Sequence, residues 1–276
     1  MAERLREILA FVNDKGGVGK TTTVHNLATA MIRQDRDIRV LIVDLDAQAA
    51  NVSLLCGWRD MPDKHGTMYE AMINKTPMPV YQVSIPDNDY RGHLYLAPAS
   101  TDLLTIDPFL LREMNPLRVL CKLFSLPIHT NEGEMSIVEA FDYVLIDCPP
   151  AMNLVTKNAM TVATGIVVPM QLEALATFGS SSVIKWAQEI KAELNPNLEL
   201  RGILKVMVDH RTNASKDFAA HLTEEYGNYV FDTEIPRRTK VVEAQAMLQD
   251  IFTYKPHDDA GLAYAQLARE ILSTNS

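Results

Sequence analysis

Two lysines and two threonines flank a glycine-rich segment near the start of the chain, and these residue types can bind the phosphates of a nucleotide. The segment reads Asp14-Lys15-Gly16-Gly17-Val18-Gly19-Lys20-Thr21-Thr22. Glycines let the backbone turn successive N–H groups inward, where they meet phosphate oxygens. Lys20 can reach the β- and γ-phosphates, and the Thr21 hydroxyl can hold Mg²⁺. The spacing therefore predicts a site for a magnesium–nucleoside triphosphate.

The segments on either side of this loop are predicted to position it. An apolar run at residues 8–12 indicates a buried strand, and Val24, Leu27, Ala28 and Met31 then recur at helical spacing. A helix that begins at the loop adds its N-terminal partial positive charge to the phosphate site. The alternative, a glycine-rich turn without a ligand, is disfavoured by the two lysines and the paired threonines.

Three acidic residues follow predicted strands, at the sheet edge where open α/β sheets bind ligands. Asp147 ends an apolar strand and precedes Pro149 and Pro150. This is the Walker B arrangement, in which a carboxylate holds Mg²⁺ or its water shell. Asp44 can join the metal shell or orient the attacking water. Asp46 can do the same, or it can simply cap the next segment.

The rest of the chain predicts one α/β domain over residues 1–276, with a mostly parallel central sheet and helices on both faces. Apolar runs alternate with helical patterns almost to the end, as in such sheets. Further strands are predicted at 38–43, 94–97, 143–146, 166–168 (stopped by Pro169) and 201–208. Helices are predicted at about 153–163, 174–194 and 214–226, with a last one containing Tyr264, Leu267, Ala268 and Ile271. Residues 130–134 read as a surface loop.

Composition narrows the class of protein and its compartment. The net charge is −9, which argues against DNA binding by bulk electrostatics but leaves room for a local basic patch. No run approaches the ~20 apolar residues of a membrane span, and the charged first residues are unlike a signal peptide. The three cysteines lack metal-ligand or redox spacing. We therefore expect a cytoplasmic protein.

The pattern Lys-Gly-Gly-x-Gly-Lys-Thr-Thr, with Lys15 as a second lysine, resembles the deviant Walker A loop of the ParA/MinD/iron-protein group of P-loop ATPases. Over nearly the whole chain the motifs resemble a ParA/Soj-type partition ATPase, and residues 209–213 and 235–244 are similar to two further blocks of that family. The resemblance implies that Lys15 reaches the phosphates of a partner subunit across a nucleotide-sandwich dimer. It also implies Lys20, Thr21 and Thr22 as in-chain ligands, Asp44 as the water-positioning residue and Asp147 as the Walker B carboxylate.

The chain also departs from the family pattern. Asp46-Ala47-Gln48 replaces the usual Asp-Pro-Gln, and the Gly-Lys-Pro expected after Glu243-Ala244 is absent. Late in the strand before Asp209, where the family often has a polar base contact, Met207 is apolar. We expect backbone groups at Met207 and the Pro236 loop to contact the base. The preference for ATP thus follows from the family.

Five basic residues stand out from the acidic chain: Arg211, Lys216, Arg237, Arg238 and Lys240. We expect them to meet in the fold and to bind DNA phosphates without sequence preference. The resemblance implies this role for Arg211, Arg237 and Lys240, which fall on positions that similar partition ATPases use in this way. The alternative is an ordinary solvated surface. No aromatic residues interleave these positions, which favours duplex over single-stranded DNA.

Together these features predict an Mg-ATP-dependent dimerising ATPase that binds DNA in its ATP state and acts as a DNA or cargo partitioning switch. We expect it to be slow alone, stimulated by a ParB-type partner and associated with the nucleoid. A MinD-like membrane-cycling ATPase is the alternative. It needs a basic amphipathic C-terminal helix, whereas residues 268–276 carry one acid, one base and no aromatic anchor. An iron–sulfur carrier would need matched cysteines, which the sequence does not offer.

Overall fold

A computed structural model describes residues 4–35, 37–48, 52–60, 66–85, 93–130, 133–172, 179–209 and 213–273, with the backbone alone at 60, 130, 179–181, 213–217 and 221. The strands are β1 (Glu7–Phe11), β2 (Arg39–Asp44), β3 (Tyr81–Gln82), β4 (His93–Ala97), β5 (Ile128–Thr130), β6 (Gly133–Met135), β7 (Tyr143–Asp147), β8 (Gly165–Gln171), β9 (Glu199–Val208) and β10 (Val230–Pro236).

Eight of these strands form one sheet in the order β10-β9-β8-β1-β7-β2-β4-β3. Neighbouring strands are parallel except that β3 runs antiparallel to β4. Strands β5 and β6 form a separate antiparallel pair. The predicted α/β fold with a mostly parallel central sheet is therefore confirmed.

Helices cover both faces of the sheet. They are α1 (Lys20–Gln34), α2 (Val52–Leu55), α3 (Met68–Asn74), α4 (Asp107–Leu110), α5 (Val119–Ser125), α6 (Ile137–Ala140), α7 (Leu154–Val162), α8 (Gly179–Glu193), α9 (Asn213–Tyr226), α10 (Thr239–Ala246), α11 (Ile251–Tyr254) and α12 (Asp259–Ser273). Side chains alternate along β1, so Ala10 packs with α7 in one hydrophobic core and Leu9 packs with α1 and α12 in the other.

Two predicted boundaries are wrong. Pro169 does not stop β8, which continues to Gln171 beside β9. The backbone carbonyl of Val167 points towards β1 and accepts the Val12 N–H. Backbone groups two residues apart in a strand point to the same side, so the backbone nitrogen of Pro169 also points towards β1. Strand β1 has ended by then, so the missing N–H of Pro169 costs no ladder bond. The predicted loop at 130–134 overlaps the β5–β6 hairpin, because residues 128–130 pair with 133–135.

Other predicted elements are confirmed with small shifts. Helix α8 begins at Gly179 in the described residues, so positions 174–178 of the predicted helix lie outside them. The predicted apolar face of α12 is buried: Tyr264, Leu267, Ala268 and Ile271 are at most 2% exposed. In the described part of the chain, none of the helices combines the length and apolar character needed to traverse a bilayer.

Candidate nucleotide-binding site

The glycine loop connects β1 to α1 at the carboxyl edge of the sheet. Gly17 and Gly19 have φ angles of +73° and +78°, a left-handed conformation that side-chain-bearing residues adopt with strain. Gly19 is the N-cap of α1, whose first turn has neither a capping side chain nor an acidic residue. The loop therefore leads directly into a helix N-terminus suited to anions.

Lys20 lies across this loop rather than in solvent. Its Nζ donates hydrogen bonds to the carbonyl oxygens of Asn13 (3.0 Å) and Lys15 (3.2 Å), and the side chain is almost fully buried. Burial lowers the pKa of Lys20, while the charge of nearby Asp147 opposes that shift. The Lys15 side chain, in contrast, is exposed and has no ion pair or hydrogen bond to any described residue.

The Walker B candidate, Asp147, is fully buried at the end of β7. Neither of its carboxylate oxygens has a hydrogen-bond partner among the described residues. Burial raises the pKa of Asp147 well above its usual value, and the charge of Asp44 raises it further, while the adjacent Thr21 hydroxyl and Lys20 oppose this rise. Asp44 is its register partner on β2, so two carboxylates are buried side by side.

Asp44 differs from Asp147 because its oxygens are already hydrogen bonded. Oδ1 accepts the Asp46 N–H (3.0 Å), and Oδ2 accepts both the Ser53 N–H (2.9 Å) and the Ser53 hydroxyl. Burial nevertheless raises the pKa of Asp44, and these hydrogen bonds only partly offset the rise. Asp46 accepts the Gln48 N–H (3.0 Å), as expected of a residue that caps the next segment.

Two glutamines that the sequence did not single out hold the loop in place. The Gln171 amide donates to the Gly17 carbonyl oxygen (2.9 Å) and to the Met207 Sδ (2.8 Å). Gln245 donates to the Thr22 Oγ1 (2.7 Å). The position of Gln171 at the carboxyl end of a strand could have indicated the first of these. Gln245 stands on a helix late in the chain, and no local signal marks it.

The loop opens onto a cavity of about 240 Å³. It is lined by Gly17, Val18, Gly19, Lys20, Thr21, Thr22, Asp46, Gln48, Pro150, Met207 and Gln245. Met207 thus lines the same cavity as the glycine loop, and its methyl group approaches Gly19. Pro236 ends β10 and is not part of this lining.

A larger cavity of about 440 Å³ lies at the opposite end of β8 and β9, far from the loop, and is lined mainly by apolar side chains.

Only part of the predicted DNA patch can be located. Arg211 lies outside the described residues, and Lys216 is described by its backbone in α9. Arg237, Arg238 and Lys240 follow one another from the end of β10 into α10, and we call residues 237–240 the basic segment. Arg238 is ion-paired with Asp259, and Lys240 is ion-paired with Glu243 at 2.7 Å.

Comparison with known proteins places these features in a family. A family model described as an AAA domain matches residues 6–200. The chromosome partitioning protein ParA of Caulobacter vibrioides is 33% identical over 271 residues, covering 96% of this chain and 94% of that protein. The chromosome-partitioning ATPase Soj of Thermus thermophilus is 34% identical over 265 residues, covering 96% and 95%.

Solved structures agree with this placement. Cobyrinic acid a,c-diamide synthase from Mycobacterium smegmatis, with bound ADP and magnesium, is 27% identical with a TM-score of 0.74, covering 97% of this chain and 94% of that one. The cell division ATPase MinD of Pyrococcus furiosus shares the fold at 23% identity and a TM-score of 0.68, covering 97% and 98%. The glycine loop, the buried strand-end aspartates and the similarity over nearly the full chain establish that this protein belongs to the ParA/Soj family of P-loop ATPases.

Proposed function

We propose that this protein is an Mg-ATP-dependent ATPase that dimerises in its ATP state, binds duplex DNA without sequence preference and acts as a partitioning switch. One observation carries the proposal: a buried lysine, Lys20, lies across a glycine loop beside the buried carboxylate of Asp147. Burial disfavours the charge on both groups, although each partly offsets the cost for the other, and a ligand that completes the site would lower that cost further.

The loop residues supply what a triphosphate needs. Backbone N–H groups from Gly16 to Thr22 can donate to phosphate oxygens, and the N-terminus of α1 adds its dipole. Lys20 donates to two carbonyl oxygens in this structure, and it can exchange them for phosphate oxygens, which form stronger charge-assisted hydrogen bonds. The loop therefore fits ATP through groups that this chain already holds in position.

The residues present also fit a magnesium ion. Asp147 offers two buried oxygens that have no hydrogen-bond partner among the described residues, and the Thr21 hydroxyl lies next to it. Carboxylate and hydroxyl oxygens are ligands that Mg²⁺ prefers. When bound, the ion would neutralise negative charge that develops during phosphoryl transfer. Thr21 and Asp147 would hold it, and Asp44, the register partner of Asp147 on β2, would contribute to its water shell.

Asp44 is proposed to orient the attacking water. Its Oδ1 accepts one described hydrogen bond, so lone pairs remain for a water molecule. Its raised pKa also makes the carboxylate a better proton acceptor than an exposed aspartate. The bonds from Ser53 and Asp46 fix the carboxylate, so orienting water would require little rearrangement.

Lys15 is the residue proposed to join two subunits. The side chain is exposed on the loop and has no partner among the described residues, so it is available to phosphates bound by a second copy. We expect Lys15→Ala and Lys15→Gln to abolish dimerisation with a non-hydrolysable ATP analogue while the monomer still binds nucleotide. Size-exclusion chromatography with light scattering measures this, and Lys185→Ala, an exposed lysine on α8, is the matched control. A Lys15→Ala protein that dimerises like the wild type would refute the cross-subunit role.

DNA binding is proposed to occur at the basic segment together with Arg211 and Lys216, doubled in the dimer. Hydrolysis would then release both the partner subunit and the DNA. Turnover is proposed to be slow alone and accelerated by a ParB-type partner, and the protein would associate with the nucleoid in the cytoplasm. Steady-state phosphate release with and without such a partner and duplex DNA tests this; equal rates in all mixtures would contradict it.

Membrane cycling of the MinD type is the second candidate. The MinD structure supports the fold alone. Against this function, the apolar face of α12 is buried on α1 and β10 and so is not available to a bilayer. Flotation with anionic vesicles and ATP separates the two functions, since a partition switch should remain in the soluble fraction.

A further inference from the structure

Helix α10 connects the two proposed binding regions. Its first turn belongs to the basic segment and carries Lys240, whereas Gln245 in its last turn reaches the phosphate loop. The Gln245 Nε2 donates to the Thr22 Oγ1 at 2.7 Å, although the two residues are 223 positions apart in sequence. Both residues line the loop cavity. A single short helix therefore contacts the nucleotide site at one end and bears DNA-binding candidates at the other.

A second contact holds the same part of the chain on α1. Asn26, one turn after Thr22, accepts the Ile251 N–H through its Oδ1 (2.8 Å) and donates through Nδ2 to the Thr22 carbonyl oxygen (2.8 Å). Asn26 is only 2% exposed, so this contact is sealed from ligands. The Thr22–Gln245 contact lies on the cavity wall, where a bound nucleotide can alter it.

The sequence gives Gln245 a distinctive position. It directly follows Glu243-Ala244, the end of the block that is similar to the family, and it precedes residues 247–250, which replace the usual Gly-Lys-Pro. The resemblance therefore assigns it no role. Its neighbour Glu243 holds Lys240 at 2.7 Å and accepts the Tyr254 hydroxyl at 2.7 Å, so movement of the last turn of α10 would also move the partner of a basic side chain.

We infer that Gln245 is a positioning residue that couples nucleotide occupancy of the phosphate loop to the placement of the basic segment, through its hydrogen bond to Thr22. The inference rests on the proposed function, because it assumes that nucleotide binds at the loop. Phosphates bound to the first turn of α1 favour one position of Thr22. Because Gln245 is hydrogen bonded to Thr22, the position of Thr22 also favours one position of α10 and of the basic segment that it carries.

Hydrogen exchange of the α10 amides tests the coupling directly. With a saturating non-hydrolysable ATP analogue and Mg²⁺, exchange across residues 239–246 of the wild type should slow by about 5-fold or more, the lower end of typical allosteric coupling. Gln245→Ala and Thr22→Val should reduce this nucleotide-induced slowing to less than about 2-fold. Thr22→Ser retains the hydroxyl and should restore it. Gln249→Ala, an exposed glutamine four residues later, should match the wild type.

Measuring hydrogen exchange with and without nucleotide distinguishes coupling from a purely structural role of Gln245. A purely structural contact would change exchange with and without nucleotide alike, whereas coupling changes the difference between the two states. The double variant Gln245→Ala/Thr22→Val should lose no more than either single variant. Full nucleotide-induced slowing in Gln245→Ala, or none in a wild type that binds the analogue, would overturn the inference while the ATPase proposal stands. A wild type that binds no analogue would overturn both.

Discussion

The phosphate loop and the basic segment both contain charged residues, but they differ in how deeply those residues are buried and in how they are paired. At the loop, Lys20 and Asp147 are buried, and Asp147 has no hydrogen-bond partner among the described residues. At the basic segment, Arg238 and Lys240 lie at the surface and are ion-paired with Asp259 and Glu243. The loop thus holds charges that burial disfavours and that a ligand can stabilise, while Arg238 and Lys240 are already paired at the surface.

This difference predicts how strongly each region should respond to mutation. Buried charges act in a low-dielectric environment, so removing one changes binding or stability substantially. Exposed ion pairs are screened by solvent and salt and contribute little individually. We therefore expect the largest effects at the loop, on nucleotide binding and hydrolysis. We expect intermediate, pH-dependent effects on stability where α1 meets α11, and small, salt-dependent effects on DNA binding at the basic segment.

The largest effect is expected for Lys20→Ala. Loss of charge-assisted hydrogen bonds to phosphate should weaken binding of an ATP analogue by at least about 100-fold, or roughly 2.7 kcal/mol. Isothermal titration calorimetry measures this, with Lys185→Ala as the control. An affinity within about 3-fold of the wild type would show that the loop does not bind phosphate through Lys20 and would remove the contrast between the two regions.

His25 tests the intermediate region, because it is a buried residue of α1, the helix that contacts α11. Burial lowers its pKa to about 4, an effect that Asp250 partly opposes. The folded protein therefore binds fewer protons than the unfolded chain between pH 4 and 6.5, and stability should fall as the pH drops through that window, by on the order of 2 kcal/mol. Urea unfolding of His25→Gln should show a shallower loss. His257→Gln, an exposed site, should retain the wild-type slope.

Asp147→Asn should separate stability from activity at the loop. Because the pKa of Asp147 is raised in the folded protein, its carboxyl stays protonated to a higher pH than in the unfolded chain. Stability therefore falls as the pH rises from about 4 through the pKa of the folded state. Removing the charge should stabilise metal-free, nucleotide-free protein at neutral pH by on the order of 1 kcal/mol. Magnesium-dependent hydrolysis should be lost.

Thermal unfolding with chelator measures the stability change, with Asp232→Asn, which changes an exposed aspartate on β10, as the control. A destabilised but active Asp147→Asn protein would contradict both expectations. In that case Asp147 would act as a structural group rather than as a metal ligand.

The smallest effect is expected for Glu243→Gln. The change removes the negative partner of Lys240 but keeps an acceptor for the Tyr254 hydroxyl. Duplex DNA should bind a few-fold more tightly in the ATP state, and the slope of log affinity against log salt should steepen by up to about 0.9 per released lysine. Fluorescence anisotropy over a salt series measures this. Glu193→Gln makes the same charge change at the end of α8 and should leave the slope unaltered.

Adding Lys240→Ala to Glu243→Gln should reverse the gain. If the gain persists without Lys240, the released lysine is not its source. The basic segment would then contribute through net charge alone.

Most of the fold and the loop were predictable from the sequence because their signals are local. Periodicity predicted the parallel sheet, and the left-handed φ angles of Gly17 and Gly19 explain why glycine is needed there. The prediction that Pro169 stops β8 was wrong because tolerance of the missing N–H depends on where β1 ends, which is a property of the neighbouring strand. Roles predicted for Lys15, Asp44 and Arg237 remain predictions.

The sequence by itself determined the chemistry of the loop, because the groups that meet phosphate are adjacent in the chain and their spacing sets their geometry. Only the tertiary structure decided which charged side chains are paired and which helix contacts the loop. Arg238 meets Asp259, Asp44 meets Ser53 and Thr22 meets Gln245 through folding. Contacts between distant residues depend on how strands and helices assemble, and no local pattern in the chain encodes that assembly.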